Sequence, residues 1–359
     1  MKKLLLTLLK VLISVAIVAY LIWNSTRSKE NANAFVNLHD QPKDWPMFAA
    51  ALVCYLVAVL ISFVRWWYLV RALDVPLRLS DSIRIGFWGY LFNLAPLGIV
   101  GGDIVKTVML GHEQPAYRAK ALASVLVDRV IGLYILFVVV FAAIFFTGFW
   151  RIEQKDIRLV CNLTYAITIL STVGLAVVMG PDWSGGRIMK AIARIPRVGH
   201  LLKNVVEAVR LYNTKPLVLA VSCALTVPIH CLIAVGCYFI ACGLRGLHLS
   251  LADHFVVIPL SNAMGVIPLP FGPLEYMLDL LYQFVAAEKH LAIAAGQGFV
   301  VALAFRLITA LVLIFGIPYY LGNRREMVEV MHEAEEEERE EERKLQEEEE
   351  REEKKEKRQ

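Results

Sequence analysis

The sequence predicts an all-α polytopic membrane protein, with about six transmembrane helices and two broken re-entrant hairpins in an inverted repeat. Three observations carry this. The 359 residues are 57% hydrophobic, and several apolar runs reach the roughly 20 residues needed to cross a bilayer. Two further apolar runs are interrupted by helix breakers, at Asn93–Asp103 (NLAPLGIVGGD) and, altered, at Asn262–Glu275 (NAMGVIPLPFGPLE). Each break ends on a carboxylate and is followed, 26 and 31 residues later, by an arginine inside an apolar segment: Val127-Asp128-Arg129-Val130-Ile131 and Ala304-Phe305-Arg306-Leu307-Ile308. Non-helical chain in lipid is tolerated only where protein or a watery cavity covers it, so two such breaks are a costly arrangement.

Composition excludes two soluble domains of this length. Cys54, Cys161, Cys223, Cys231, Cys237 and Cys242 all lie in apolar segments without a Cys-x-x-Cys, and read as small buried hydrophobes. The net charge of +4 hides an asymmetry: residues 331–359 hold 15 Glu against 8 Lys and Arg, a net of −7, leaving +11 for residues 1–330.

In chain order, Leu4–Trp23 follows Lys2 and Lys3 and reads as an uncleaved first span, since no small-x-small cleavage site follows it. Asn24–Pro46 is then an outer loop. Met47–Val64 is the second span, closing on Arg65-Trp66-Trp67-Tyr68 at the headgroup belt, with Arg65, Arg71, Arg78 and Arg84 marking a cytoplasmic end. Ile83–Gly111 is hydrophobic but broken at Pro96, Gly98, Gly101 and Gly102, and reads as a hairpin entering from the cytoplasm. Ala119–Phe149 is the third span, 31 residues or about 46 Å of helix, and Ile157–Met179 is the fourth.

The loop 181–215 is rich in Lys and Arg and therefore cytoplasmic; within it Leu201, Val205 and Val209 make an apolar stripe suited to a helix lying on an anionic membrane surface. Pro216–Cys242 is the fifth span, with a kink expected at Pro228. Leu251–Ala287 is the second hairpin, broken around Pro268, Pro270, Gly272 and Pro273, and Leu291–Leu321 is the sixth span. The tract 329–358 alternates Glu with Lys and Arg without a heptad seam, so a lone solvated helix or a disordered tail is expected.

The domain reading is a membrane region over 1–322 and a charged cytoplasmic tail over 323–359. Repeat one covers about 47–149 and repeat two about 216–322, each with a similar lead-in to its hairpin: Leu77-Arg78-Leu79-Ser80 and Leu247-His248-Leu249-Ser250. Repeat one starts outside and repeat two inside, so the repeats are inverted. Both termini are expected in the cytoplasm, and inverted repeats with discontinuous helices mark alternating-access transporters.

For Arg129 and Arg306 two readings stand close together. A structural ion pair with Asp103 or Glu275 is one; a phosphate ligand is the other, because a guanidinium binds phosphate oxygens bidentately and stays charged. Asp103 and Glu275 sit where new helices begin, which favours capping over direct substrate contact. Asn93 and Asn262, opening the two breaks, complete the candidate substrate-binding set. Asp128 faces Phe305 in the repeat comparison and reads as structural. No catalytic motif, cofactor site or metal-ligand spacing is present in the sequence.

Three stretches together resemble the transmembrane part of lysylphosphatidylglycerol synthases: Tyr90–Lys106 (Pro…Gly-Gly-Asp), Ser124–Leu136 (Asp-Arg-x-x-Gly) and Ile267–Glu275 (Pro…Gly…Glu). The resemblance covers roughly residues 4–322. It implies a flippase-like protein of the cell membrane that moves an anionic, aminoacylated or sugar-carrying lipid between leaflets. Phe271-Gly272-Pro273-Leu274-Glu275 has one glycine where the family tends to carry two, a departure that bears on substrate identity. Only the charged tail follows the last span, so the chain is expected not to synthesise aminoacyl-lipid by itself. An intramembrane lipid-modifying enzyme using Asp103 or Glu275 is the alternative, as is a scaffold recruiting a soluble partner through its tail. Membrane lipids are the expected partners and nucleic acid is not.

Overall fold

The computed structural model describes residues 12–23, 42–93, 99–152, 154–180, 199–267, 269 and 271–322. The charged tail, residues 181–198 of the basic loop and the outer loop up to residue 41 lie outside the described residues. The rest is all-helical, with no strand among the described residues. In order, the helices are α1 (Leu12–Trp23), α2 (Trp45–Ala72), α3 (Leu79–Asn93), α4 (Ile99–Glu113), α5 (Arg118–Thr147), α6 (Lys155–Met179), α7 (Gly199–Arg210), α8 (Pro216–Gly243), α9 (Leu251–Ala263), α10 (Pro273–Glu288), α11 (Gln297–Val312) and α12 (Ile317–Gly322).

Five segments among the described residues are long and apolar enough to cross a membrane: Trp45–Ala72, Pro115–Thr147, Lys155–Met179, Pro216–Gly243 and Gln297–Tyr319. Their outer faces are apolar, as lipid requires. On α6, for instance, Leu159, Leu163, Leu170, Val173 and Val177 all point outward and exposed. The chain is a multi-pass membrane protein.

The axis of the fold is the pair α2 and α8, which run antiparallel along most of their length. At one end the Asp44 amide donates to the Gly243 carbonyl at 3.0 Å, and Phe48 lies beside Gly243. Gly236 sits against Ala51 and Cys54, and further along Arg65 donates to Thr226 at 2.8 Å. At the other end Lys215 Nζ donates to the Ala72 carbonyl. Small residues at the contact let the backbones approach, the usual device where lipid supplies no hydrophobic drive between helices.

The two helix–break–helix units hang from opposite ends of this axis. α3 and α4 open toward the end holding Ala72 and Lys215, where Arg84 pairs with Glu113 across the hairpin's base. α9 and α10 open toward the end holding Asp44 and Gly243, and there Lys289 pairs with the buried Asp253 at 2.5 Å. Ser250 and Asp253 also form a reciprocal capping box that starts α9, which explains why Leu-x-Leu-Ser leads into a helix.

The halves interlock. α9 of the second hairpin packs on α5 of the first repeat, and α3 of the first hairpin packs on the end of the last span. There Phe87 stacks on Tyr319 with ring centroids 5.7 Å apart and lies against Gly316. One apolar cluster gathers around hairpin two (Val257, Leu278, Tyr282, Val301) and another around hairpin one (Trp66, Trp88, Leu110, Tyr212). α5 crosses both, so it ties the clusters into one body. Tyr212, just past α7, donates to the Leu69 carbonyl at 3.0 Å, and burial pushes its hydroxyl pKa well up.

Four expectations need correction. α2 does not end at Val64: it runs to Ala72, and Arg65 and Trp66 are buried inside the bundle rather than lying at the headgroup belt. Arg65 can sit there because other helices bring it an acid and a hydroxyl. Gly101 and Gly102 are not breaks but lie within α4; an added Cβ on Gly89 would fall 2.8 Å from the Gly102 carbonyl oxygen, so Gly89 serves the close approach of α3 to α4 at Gly102. The sixth span starts at Gln297, not Leu291, and tightens into a 3-10 turn at Leu313–Gly316. α7 buries Val206, Ala208 and Val209 against α5 and α6, so the expected Val209 is covered by protein and not by a membrane surface.

Two outcomes follow from this packing. A Cβ on Gly298 would lie 2.6 Å from Asp279 Cα, backbone that cannot yield, whereas nothing lies within 4 Å of one on Gly174. Gly298→Ala should therefore lose about 1–3 kcal/mol, the usual cost of overpacking, in thermal unfolding of detergent-purified protein, while Gly174→Ala is neutral or mildly stabilising. In a cysteine-free background, Asp74→Cys and Leu247→Cys, exposed near the two hairpin bases, should react with an impermeant maleimide from opposite faces of the membrane. Reaction of both from one face would overturn the opposed hairpins.

Candidate functional site

Both breaks are held by an ion pair to the long helix that follows, but the two pairs are built differently. In hairpin two, Gly272 adopts φ 115°, a conformation that favours glycine, and Pro273 opens α10 where its missing N–H is no loss. One Glu275 oxygen accepts from the Gly272 amide at 2.7 Å; the other accepts from Arg306 Nε at 2.7 Å. Glu275 is fully buried, and the Arg306 guanidinium carbon lies 5.4 Å from the Phe271 ring centroid. Glu275 is thus a cap and an ion-pair partner at once.

In hairpin one, Asp103 lies one turn inside α4. It receives a two-pronged grip from Arg129, with Nε and Nη2 each donating at 2.6 Å to a different oxygen. This pair is open: 43% of the Arg129 side chain and 21% of that of Asp103 remain accessible. Next to Arg129 on α5, Asp128 turns the other way and accepts from Arg65 Nε at 2.8 Å, while Arg65 Nη1 reaches Thr226 on α8. Arg65 thereby joins α2 to both α5 and α8. Lys106, one turn beyond Asp103, places Nζ 5.2 Å above the Trp66 ring, and Trp66 in turn donates to Ser124 at 3.3 Å.

The halves meet again at the break of hairpin one. Tyr90, near the end of α3, has its hydroxyl 3.0 Å from that of Tyr55 on α2 and 3.2 Å from the Thr309 carbonyl on α11. Thr309 Oγ donates back to the Arg306 carbonyl, and Phe305 sits edge-on to Tyr55 at 5.3 Å. Tyr90 of the first hairpin is thereby anchored three residues from the second repeat's arginine.

Of the residues singled out from sequence, the structure joins Arg129 to Asp103 and Arg306 to Glu275. The ion-pair reading describes the arginines in this state. Capping describes Glu275 but not Asp103, whose carboxylate goes to Arg129. Asn262 is half-buried in the last turn of α9; Asn93 ends α3, and its side chain is outside the described residues, as are Pro96, Gly98, Pro268 and Pro270. Sequence reasoning missed Arg65, Lys106 and Thr226. A signal for Arg65 existed: Leu69 and Val70 keep the apolar helical run going past it.

The fold and the paired breaks define an integral membrane protein built from two opposed helix–break–helix units. Within that class the chain belongs to the lysylphosphatidylglycerol synthase transmembrane region family, whose model matches residues 8–316. No curated protein and no solved structure matches the chain.

The contrast between the pairs has a measurable consequence. Arg306→Gln strands a sealed carboxylate and should lose about 3–5 kcal/mol, largely restored by adding Glu275→Gln. Arg129→Gln, in an open pair, should lose about 1 kcal/mol or less. Thermal unfolding of the single and double variants checks both; equal losses at the two sites would contradict the difference in burial.

Proposed function

We propose that this protein translocates an anionic lipid between the leaflets of the cell membrane, with both of its termini in the cytoplasm. The head group passes between the two hairpins while the acyl chains stay in the bilayer. One observation carries the reading: two opposed, interlocked units each hold a broken helix by a single ion pair. That arrangement supplies an interruption reachable from each side, and closing one unit while opening the other is alternating access.

Carriage is preferred to chemistry on the same geometry. Asp103 and Glu275, the residues an intramembrane acid–base catalyst would use, are each engaged by an arginine. Such a partner occupies the carboxylate oxygens that would have to exchange a proton with a substrate. The pairs serve instead as clasps that a passing phosphate exchanges with.

The test is reconstitution into liposomes containing fluorescent phosphatidylglycerol, with dithionite bleaching the outer leaflet. The wild type should make the inner-leaflet label bleachable, and protein-free vesicles should keep it protected. The Arg306→Gln/Glu275→Gln double variant, which removes one clasp without stranding a charge, should slow exchange by about an order of magnitude, as roughly 1.4 kcal/mol of lost preference would produce. Wild-type protein that leaves the label protected would sink the reading.

A further inference from the structure

We infer that Lys106 receives the phosphate of the lipid head group, because among the described residues it is the uncommitted cation of a site whose other charges are already paired. The inference rests on the translocator reading and names the residue and charge type within it.

The argument starts from a charge count around hairpin one. Lys106 shares its surroundings with Asp103, Asp128, Arg65 and Arg129, close enough that each acts on its ammonium. The two carboxylates are taken by the two arginines, Asp103 by Arg129 and Asp128 by Arg65. Three cations face two anions, so one positive charge is left over. Hairpin two has no such excess: Arg306 and Glu275 balance each other, and Glu275 is sealed.

The surplus falls on Lys106. Its described contact is the Trp66 ring at 5.2 Å, which offers a π-face but no lone pair to the three N–H donors of an ammonium. A lone cation in an apolar helix normally finds a partner, and its presence marks a ligand path. The residue is half-buried rather than sealed, so a ligand can reach it. Its stem runs over Gly89, where an added Cβ would fall 3.3 Å from Lys106 Cγ; the glycine keeps that lane clear. Beside it, Arg129 spends Nε and Nη2 on Asp103, which leaves Nη1 as a second donor on an accessible side chain.

A single surplus charge with a second donor nearby fits a monoanion with several oxygens, which is a phosphodiester. Lysine is a point-charge phosphate binder, so it favours a phosphate whose charge is not cancelled by a cation in the same head group, as choline cancels it. A free phosphate offers the same oxygens, and the difference lies in the acyl chains that Lys106, inside the membrane region, leaves in lipid.

The experiment is titration calorimetry on detergent-purified full-length protein with short-chain phosphatidylglycerol, short-chain phosphatidylcholine and inorganic phosphate. Wild type should bind phosphatidylglycerol more tightly than phosphatidylcholine. Lys106→Gln should weaken phosphatidylglycerol about tenfold, the loss of one charge-assisted contact, and leave phosphatidylcholine unchanged. Its thermal unfolding should match wild type, since no paired carboxylate is stranded. A folded Lys106→Gln that keeps wild-type phosphatidylglycerol affinity overturns the inference, as does a wild type without preference between the two lipids. Inorganic phosphate that displaces the lipid at equal concentration overturns the lipid assignment. If the calorimetry holds and liposomes show no exchange, the translocator reading falls while the Lys106 site stands.

Discussion

An arginine near the middle of a bilayer costs about 2.5–3.5 kcal/mol on insertion scales, and it persists where protein brings it a partner. Three arginines placed well inside the long apolar helices, Arg65, Arg129 and Arg306, are each answered by an acid from another helix. Arg65 on α2 takes Asp128 on α5 and Thr226 on α8; Arg129 on α5 takes Asp103 on α4; Arg306 on α11 takes Glu275 on α10. The first joins the two repeats at their axis. The other two fix each broken hairpin to the span that follows it. Because lipid gives apolar helices little reason to choose one neighbour over another, these directional contacts decide which helices meet.

The antiparallel axis extends that logic to the whole molecule. With α2 and α8 side by side and reversed, each repeat offers its hairpin to the opposite end, and neither hairpin can pack without the other repeat's last span. α3 needs the Gly316–Tyr319 turn, and α9 needs α5. Motion of one hairpin is therefore felt in the partner repeat, through the Tyr90, Tyr55 and Thr309 contacts as well as through packing. A mechanical link of that kind is what alternating access requires.

Much of this was legible in the chain because lipid simplifies the code. Apolar length marked the spans, and breakers inside apolar runs marked the hairpins. The paired acid and arginine in each repeat marked the clasps, with Glu275 three residues past Gly272 a recognisable cap position. What stayed hidden depended on distance. Arg65 resembled an interfacial arginine because its sequence neighbours are Trp66, Trp67 and Tyr68; only the approach of Asp128 from 63 residues away makes it a core residue. Gly101 and Gly102 resembled breakers, since glycines that end a helix and glycines inside one that meets a neighbour look alike until Gly89 is brought against Gly102. Lys106 carried no flag, because its meaning is arithmetic over charges that the fold assembles.

The two halves share a plan but not an energy. In hairpin one the acid is accessible and a second acid, Asp128, stands beside the arginine; in hairpin two the acid is sealed and Phe305 stands there instead. Water or a phosphate can take an accessible carboxylate's place more readily than a sealed one's, because it can reach the pair without opening the surrounding packing. A sealed carboxylate also holds the Gly272 amide, so parting it strands two groups in place of one. Strict symmetry would make the two access states equal in free energy. In the translocator proposed above, the sealing of Glu275 breaks that equality and favours hairpin two closed as the resting arrangement from which hairpin one opens.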